Sequence, residues 1–431
     1  MATSSNGALD EATNSGGNSG SNSDNSGNGW SDDQFQAWIA KELIHSSGPR
    51  LVQDYPSLFV YDAVPRCITN WRKRFRGNPA LWKRLFHKDK VVKEFIEAIP
   101  VLDTVLTYTQ QQQQDTNNTK TNPKKITILD LCSGKGYLSM LLSEMLDPNI
   151  VEKIVLIDKA WPMHNVTPQS HHINWDHIYG KKHQSSEGGG GGGENGTSYN
   201  YFDKWPIPLH TSKQDLKHPN NLRNIQRVFI DASSGPVIML AIHLCGTLSL
   251  RAIDLYNRSP KIQLFGLKPC CLPGMVHAKR HEIFQLGNHS FDSKLVCMRG
   301  KWKGNKWVNG PPRSHLQSQF QTWSENLYLG ILDDDNNGEG DDGNDNDFKR
   351  CRLVTTTTTK TSTTTTPSLT PTEEETNNGA QQPMIKTKLT IQVQQGGGYQ
   401  NDFLFAQRGG GGGGAGVWHT SHKSNEQQQR Q

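Results

Sequence analysis

The stretch that most constrains this chain is KKITILDLCSGKGYLSMLLSEML, residues 124–146. A run of β-formers, Ile126 to Leu129, ends in an acid, Asp130. Gly134 and Gly136 follow, and then apolar residues at helical spacing. Glycines let a backbone take positive φ and approach a ligand, and the helix start beyond them offers free N–H groups. Strand, glycine turn and helix in that order make a βα unit of an open α/β sheet, with a ligand at the turn. A second apolar run, VEKIVLID (151–158), ends in Asp158, 22 residues after Gly136. That is the spacing of an acid that bonds a ribose diol, so the ligand is expected to carry a nucleoside.

The alternation continues along the chain. Strand-like runs lie at 205–212, 236–246 and 262–271, with helices from about Ser249 and up to about residue 330. Strands alternating with helices predict the α/β class and a largely parallel sheet, here with a core over 120–330. Residues 29–110 read as a helical, basic N-terminal extension. Ser31 and Gln34 form a capping box, and Phe35, Trp38, Ile39 and Leu43 share one helical face. From Arg66 to Lys93 there are ten Lys or Arg and one acid, Asp89, interleaved with Trp71, Phe75, Trp82 and Phe86.

Composition marks where the core stops. Apolar residues are 33% of the 431, and the mean hydropathy is −0.69. Both are low for a wholly globular chain and predict disordered segments. The Ser/Gly/Asn-rich 1–28, a low-complexity insertion at 185–198, an acidic and Thr-rich insertion at 331–383, and a Gly/Gln-rich tail at 409–431 fit that description. Between the last two lies MIKTKLTIQVQQGGGYQNDFLFAQR (384–408), two strand-like runs around a Gly-rich turn. A buried sheet needs its last strands, so this hairpin is expected to return and close the core. No stretch approaches the roughly 18 apolar residues of a membrane span, which argues against a membrane partner. The first residues have no apolar signal region, and seven cysteines at irregular spacing make no disulfide framework. A reducing compartment, cytoplasmic or nuclear, is expected.

A nucleoside ligand leaves a dinucleotide or S-adenosyl-L-methionine. Asp130 at the mouth of the first strand suits the ammonium of a methionine moiety by a charge-assisted bond, and sits poorly beside a pyrophosphate. The turn Asp130-Leu131-Cys132-Ser133-Gly134-Lys135-Gly136 resembles the Asp-x-Gly-x-Gly-x-Gly motif of class I S-adenosylmethionine-dependent methyltransferases, with Cys132 where the first glycine usually stands. The resemblance implies a Rossmann-like, seven-stranded methyltransferase sheet that the 384–408 hairpin completes. It also implies that Asp130, Cys132, Ser133, Gly134 and Gly136 hold S-adenosyl-L-methionine, with Asp158 on the ribose and Asp215 on the adenine amine. A dinucleotide-binding domain and a fold without catalysis are the alternatives.

AIHLCGTLSLRAIDL (241–255) and LKPCCLPG (267–274) are more specific. They look like the group that contains the tRNA position-4 2′-O-methyltransferases and their uncharacterised relatives. The likeness covers roughly 120–330. That group carries an N-terminal Cys/His zinc module, whereas Cys67 is the only cysteine in the N-terminal part of this chain.

Two candidates for catalysis follow. His243, after the fourth strand, can act as a general base because an imidazole titrates near neutrality, or it can simply shape the turn. Lys268 can neutralise a phosphate or lower a hydroxyl pKa, or be a solvated lysine. Cys245, Cys270 and Cys271 with His243 make a conceivable metal set. Adjacent cysteines rarely both reach one tetrahedral ion, however, and there is no Cys-x-x-Cys, so no metal is expected. A nucleophilic Cys270 after Pro269 is disfavoured because pyrimidine-methylating enzymes place that pair on a different strand. Small buried thiols are the commoner fate.

RNA is the expected partner. The run 333–347 holds eight acids and no base, and removing its charge from the formal +5 leaves +13 on the rest. A basic body attracts a polyanion. In 66–93 and in RGKWKGNKWVNGPPR (299–313), cations can follow phosphates while Trp302 or Trp307 stacks on a base. For 66–93 the competing expectation is an amphipathic helix pair with the aromatics buried. A protein substrate, docking at 299–313, is the alternative to RNA.

Overall fold

The computed structural model describes residues 29–54, 58–119, 124–163, 166, 168–180, 200–298, 301–303, 306–308, 310, 313–332, 354–355, 384–390 and 402–408. Four helices come first: α1 (Asp32–Asp54), α2 (Leu58–Arg74), α3 (Pro79–Leu85) and α4 (Lys88–Thr119). The expected capping box starts α1. The Gln34 N–H donates to Ser31 Oγ at 3.2 Å, and the Ser31 N–H donates to Gln34 Oε1 at 2.9 Å. Pro65 and Pro100 lie inside α2 and α4, where Thr69 and Thr104 hydroxyls each donate back to the proline carbonyl at 2.8 Å.

The sheet then forms: β1 (Ile126–Leu131), β2 (Val151–Asp158), β3 (Leu209–Lys213), β4 (Val237–Cys245), β5 (Ile262–Cys271), and, far along the chain, β6 (Ile385–Thr390) and β7 (Asp402–Gln407). The order is β6-β7-β5-β4-β1-β2-β3. The five strands from β5 to β3 are parallel, and β7 runs antiparallel between β5 and β6. The connecting helices include α5 (Tyr137–Met145) after β1 and α6 (Leu248–Arg258) after β4, with α7 (Arg313–Leu329) ahead of the closing hairpin.

Burial alternates with strand parity, as a pleated strand covered on both faces requires. Ile126, Ile128, Ile154, Leu156, Ile238, Leu240, Phe403 and Phe405 face the side covered by α1–α5. Leu129, Leu131, Val155, Ile157, Met239, Ala241, Leu404 and Ala406 face the side covered by α6 and α7. The N-terminal helices are therefore not an appended unit. Phe35, Ile68, Phe75, Phe95 and Leu102 share one apolar cluster with the sheet, and α4 runs on to Thr119, beyond the expected limit of 110.

The aromatics of 66–93 go inward. Trp71, Phe75 and Phe86 are buried, and Trp82 stacks on Phe86 at 4.8 Å. Arg74 bonds Glu144 at 2.6 Å over the Trp205 ring, and Arg72 and Arg76 lie against Asp32. The expectation of buried aromatics holds for this segment, and those rings are not available to stack on bases.

Two further features correct the sequence reading. A small sheet of Glu282–Leu286, His289–Asp292 and Val354–Thr355 was not anticipated, and its last strand falls inside the stretch 331–383 read as an unstructured insertion. Residues 299–313 contain a short antiparallel pair, Lys301–Lys303 with Lys306–Val308. The expectations for 1–28, 185–198 and 409–431 lie outside the described residues. No helix among the described residues is long and apolar enough to cross a membrane.

Candidate active site

Strand order reverses at β1, which lies between β4 and β2, and open α/β sheets bind ligands at such a switch point, beyond the carboxyl ends of the strands. A pocket lies there. Glu94 and Ala98 of α4, Asp130, Cys132, Ser133, Tyr137, Leu138, Ile242 and His243 line it, and no lysine or arginine among the described residues takes part.

The loop from β1 to α5 is held in a left-handed path. Cys132, Gly134 and Gly136 have φ of 56°, 54° and 82°. Cys132 thus keeps the backbone conformation for which glycine is the unstrained residue, at a cost of about 1 kcal/mol. A Cβ on Gly136 would sit 2.3 Å from a Leu156 methyl, whereas one on Gly134 would meet nothing within 4 Å. Gly136 is needed for packing and Gly134 leaves the approach to the loop open. The loop is braced from outside. The Trp161 indole N–H donates to Ser133 Oγ at 3.1 Å, and buried His177 bonds the Lys135 carbonyl at 2.8 Å. Burial pulls His177 down to about 4, so it stays neutral.

Asp130 is buried, and one of its oxygens accepts the Ser139 hydroxyl at 2.7 Å. Burial pushes its carboxyl up to about 7, against the opposing pull of the Ser139 bond and of His243. No cationic side chain among the described residues pairs with it. Asp158, at the end of β2, accepts the Gly134 N–H at 3.1 Å and the Ala160 N–H at 2.8 Å. Asp215, beyond β3, accepts the Lys217 N–H at 3.0 Å and does not line the pocket. Its charge still bears on the Cys132 thiol. Burial first, then Asp158, Cys245, Asp130 and Asp215, push that thiol up to about 12.

His243 is half-buried, with Nε2 3.0 Å from Glu94 Oε2 and Nδ1 3.9 Å from Glu97 Oε2. It sits where β4 carries an extra residue against β5: Ala241 pairs with Leu267 and Leu244 with Pro269. Such a bulge re-aims a side chain beside a site. Lys268 is neither solvated nor directed into the pocket. It is buried, with Nζ 3.4 Å from Glu97 Oε1 and near the Phe403 ring.

The structure therefore brings Asp130, Cys132, Ser133 and His243 together in the pocket, places Gly134 and Gly136 in the adjoining loop with Asp158 bonded to it, and sets Asp215 and Lys268 outside the lining. Sequence reading missed Glu94 and Glu97. They lie in a helix 149 and 146 residues ahead of His243, and only their i, i+3 spacing on one helical face marked them as a pair. The groups that converge at the pocket, two carboxylates and an imidazole, suit a cationic ligand and a proton transfer beside it.

No curated protein matches the chain. Residues 92–277, which begin in α4 just ahead of Glu94 and end shortly after Cys271, match the model of a family described as a methyltransferase domain. Together with the seven-stranded, mostly parallel sheet, that match supports a methyltransferase of Rossmann-like fold.

Proposed function

We propose that the protein transfers a methyl group from S-adenosyl-L-methionine to RNA, most simply to a ribose 2′-hydroxyl of a tRNA. The observation that carries the cofactor reading is the pocket's charge. Asp130 and Glu94 line it, and no lysine or arginine among the described residues does. S-adenosyl-L-methionine supplies an activated methyl on a sulfonium, and it is cationic at both the sulfonium and the ammonium. A dinucleotide pyrophosphate would meet two carboxylates with no counter-charge. Buried Asp130 would take the ammonium, and Asp158 at the rim of the open Gly134 turn would take the ribose hydroxyls.

A hydroxyl needs help to lose its proton. With Glu94 accepting from the His243 Nε2–H, Nδ1 is left as the acceptor, and the carboxylate stabilises the imidazolium that forms. Lys268 helps indirectly by holding Glu97. The RNA reading is supported by the basic body and by Lys301, Lys303 and Lys306 on the short strand pair after β5.

Asp158→Ala is expected to weaken S-adenosylmethionine binding by about 1–3 kcal/mol, measured by calorimetry. Unchanged affinity would remove Asp158 from the ribose. His243→Ala is expected to lower turnover by roughly 10²–10⁴ while the cofactor still binds. The substrate test is transfer of label from cofactor into cell extract, followed by separate RNase and protease digestion. RNA as substrate requires RNase-sensitive label. It also requires that Lys301, Lys303 and Lys306 to Ala reduce both affinity and its salt dependence. Protease-sensitive label that survives RNase makes the protein a protein methyltransferase instead.

A further inference from the structure

Beside the pocket, at the carboxyl ends of β4 and β5, three sulfurs converge. Cys245 Sγ is 3.0 Å from Cys270 Sγ, Cys270 Sγ is 3.6 Å from Cys271 Sγ, and all three lie within 4.8 Å of one another. Two neighbours on a regular strand would point to opposite faces. Here β5 carries one residue more than β4, because Leu244 pairs with Pro269 and Cys245 with Cys271, so Cys270 is the unpaired residue of a bulge. The bulge cancels the alternation and swings Cys270 and Cys271 to the same side. The sequence objection that adjacent cysteines rarely share an ion does not apply to this backbone.

We propose that Cys245, Cys270 and Cys271 bind one zinc ion through three thiolates, with the fourth position open to solvent. Zinc–sulfur bonds of about 2.3 Å place sulfurs about 3.8 Å apart in a tetrahedron. The 3.0 and 3.6 Å separations reach that by opening about 0.8 and 0.2 Å, and the third pair, within 4.8 Å, needs to close by no more than about 1 Å. Three thiols at one point also suit a soft ion better than an oxygen-preferring one. Cys245 is exposed, which gives the ion an entry path and room for water as fourth ligand. Three thiolates on a divalent ion leave one net negative charge, and Lys159 and Lys268 both bear favourably on this cluster. Binding forms three S–Zn bonds and releases up to three thiol protons to the buffer. Cys132, Cys67 and Cys297 are not part of the set.

The test needs neither cofactor nor substrate, so it stands or falls apart from the methyl-transfer reading. Untagged full-length protein, purified under reductant, is expected to carry one zinc per chain. Replacement by Co²⁺ is expected to give intense thiolate-to-cobalt charge-transfer absorption. Zinc is also expected to protect three thiols from a thiol reagent, and a chelator to expose them again. Cys245→Ser and Cys271→Ser, checked for folding by thermal melts, are expected to reduce bound metal to background, whereas Cys67→Ser retains it. No zinc and no charge-transfer band in the reduced wild-type protein would overturn the proposal. So would metal that persists in the Cys245→Ser/Cys271→Ser double variant, or a Cys245–Cys270 disulfide as the stable state with no metal-binding reduced form. The thiol-protection assay uses the wild-type protein alone, so a variant that fails to fold leaves the test intact.

Discussion

Asp130→Asn is expected to make the protein more stable above pH 7 and, in the same substitution, to strip it of S-adenosylmethionine affinity. The wild-type carboxyl is raised from 3.8 to about 7 by burial. An acid whose pKa is higher folded than unfolded holds its proton more tightly when folded. Its contribution to stability is whole below 3.8, declines as pH rises from 3.8 to about 7, and is absent above. At about 1.4 kcal/mol per unit, ionised Asp130 costs the fold about 4 kcal/mol at pH 8. Asparagine has the same shape, still accepts the Ser139 hydroxyl, and never ionises. The stability gap between variant and wild type should therefore widen by about 2–3 kcal/mol from pH 5 to pH 8. Denaturant melts at the two pH values measure it, and a gap independent of pH would mean that Asp130 is not the buried, uncompensated acid described. The same acid awaits a cation. An ammonium bound at Asp130 favours the carboxylate, so wild-type affinity should fall as pH drops below about 7, and the variant should lose at least about tenfold with no such pH dependence.

Truncation after residue 383 should unfold the protein, whereas removal of 356–380 should leave its melting temperature nearly unchanged. β7 lies inside the sheet, between β5 and β6, and Phe403, Leu404 and Phe405 are buried to 1% or less. At about 1.5–3 kcal/mol each, those three side chains alone contribute roughly 4–9 kcal/mol, comparable with the whole net stability of a domain. Arg408 adds bonds to the Ser259 and Tyr256 carbonyls at 2.7 and 3.2 Å. The internal deletion shortens a connection whose closure entropy changes only with the logarithm of its length. A folded, cooperatively melting fragment ending at 383 would contradict this account of the sheet.

The elements that carry a strong period were legible in the sequence. β1, β2 and β5 fall at the expected residues because continuous apolar runs bounded by turn residues leave little freedom. The hairpin 384–408 was legible for the same reason, even across a long insertion. Three things were not. The small sheet at 282–292 is a tight hairpin around Gly287-Asn288 whose local signal was passed over, and its third strand, Val354–Thr355, pairs with Glu282 and Ile283 about seventy residues away, which no local pattern encodes. The partners of His243 and Lys268 come from α4, because that helix reads as a polar-faced surface helix until the sheet behind it is in place. The convergence of Cys245, Cys270 and Cys271 was hidden too, because a bulge is a pairing defect between two strands, and the residues of either strand alone do not reveal it.

The place of β7 also bears on how the chain is made. β5 is complete at Cys271, yet the strand that covers its open edge begins at Asp402. At roughly 5–20 residues per second, a ribosome takes about 7–26 s to synthesise the residues between them. Throughout that interval the parallel half of the sheet presents an unpaired, apolar edge, the form of surface that recruits other strands. The nascent protein is therefore expected to depend on chaperone shelter late in synthesis, and to be rescued by lower temperature or slower expression.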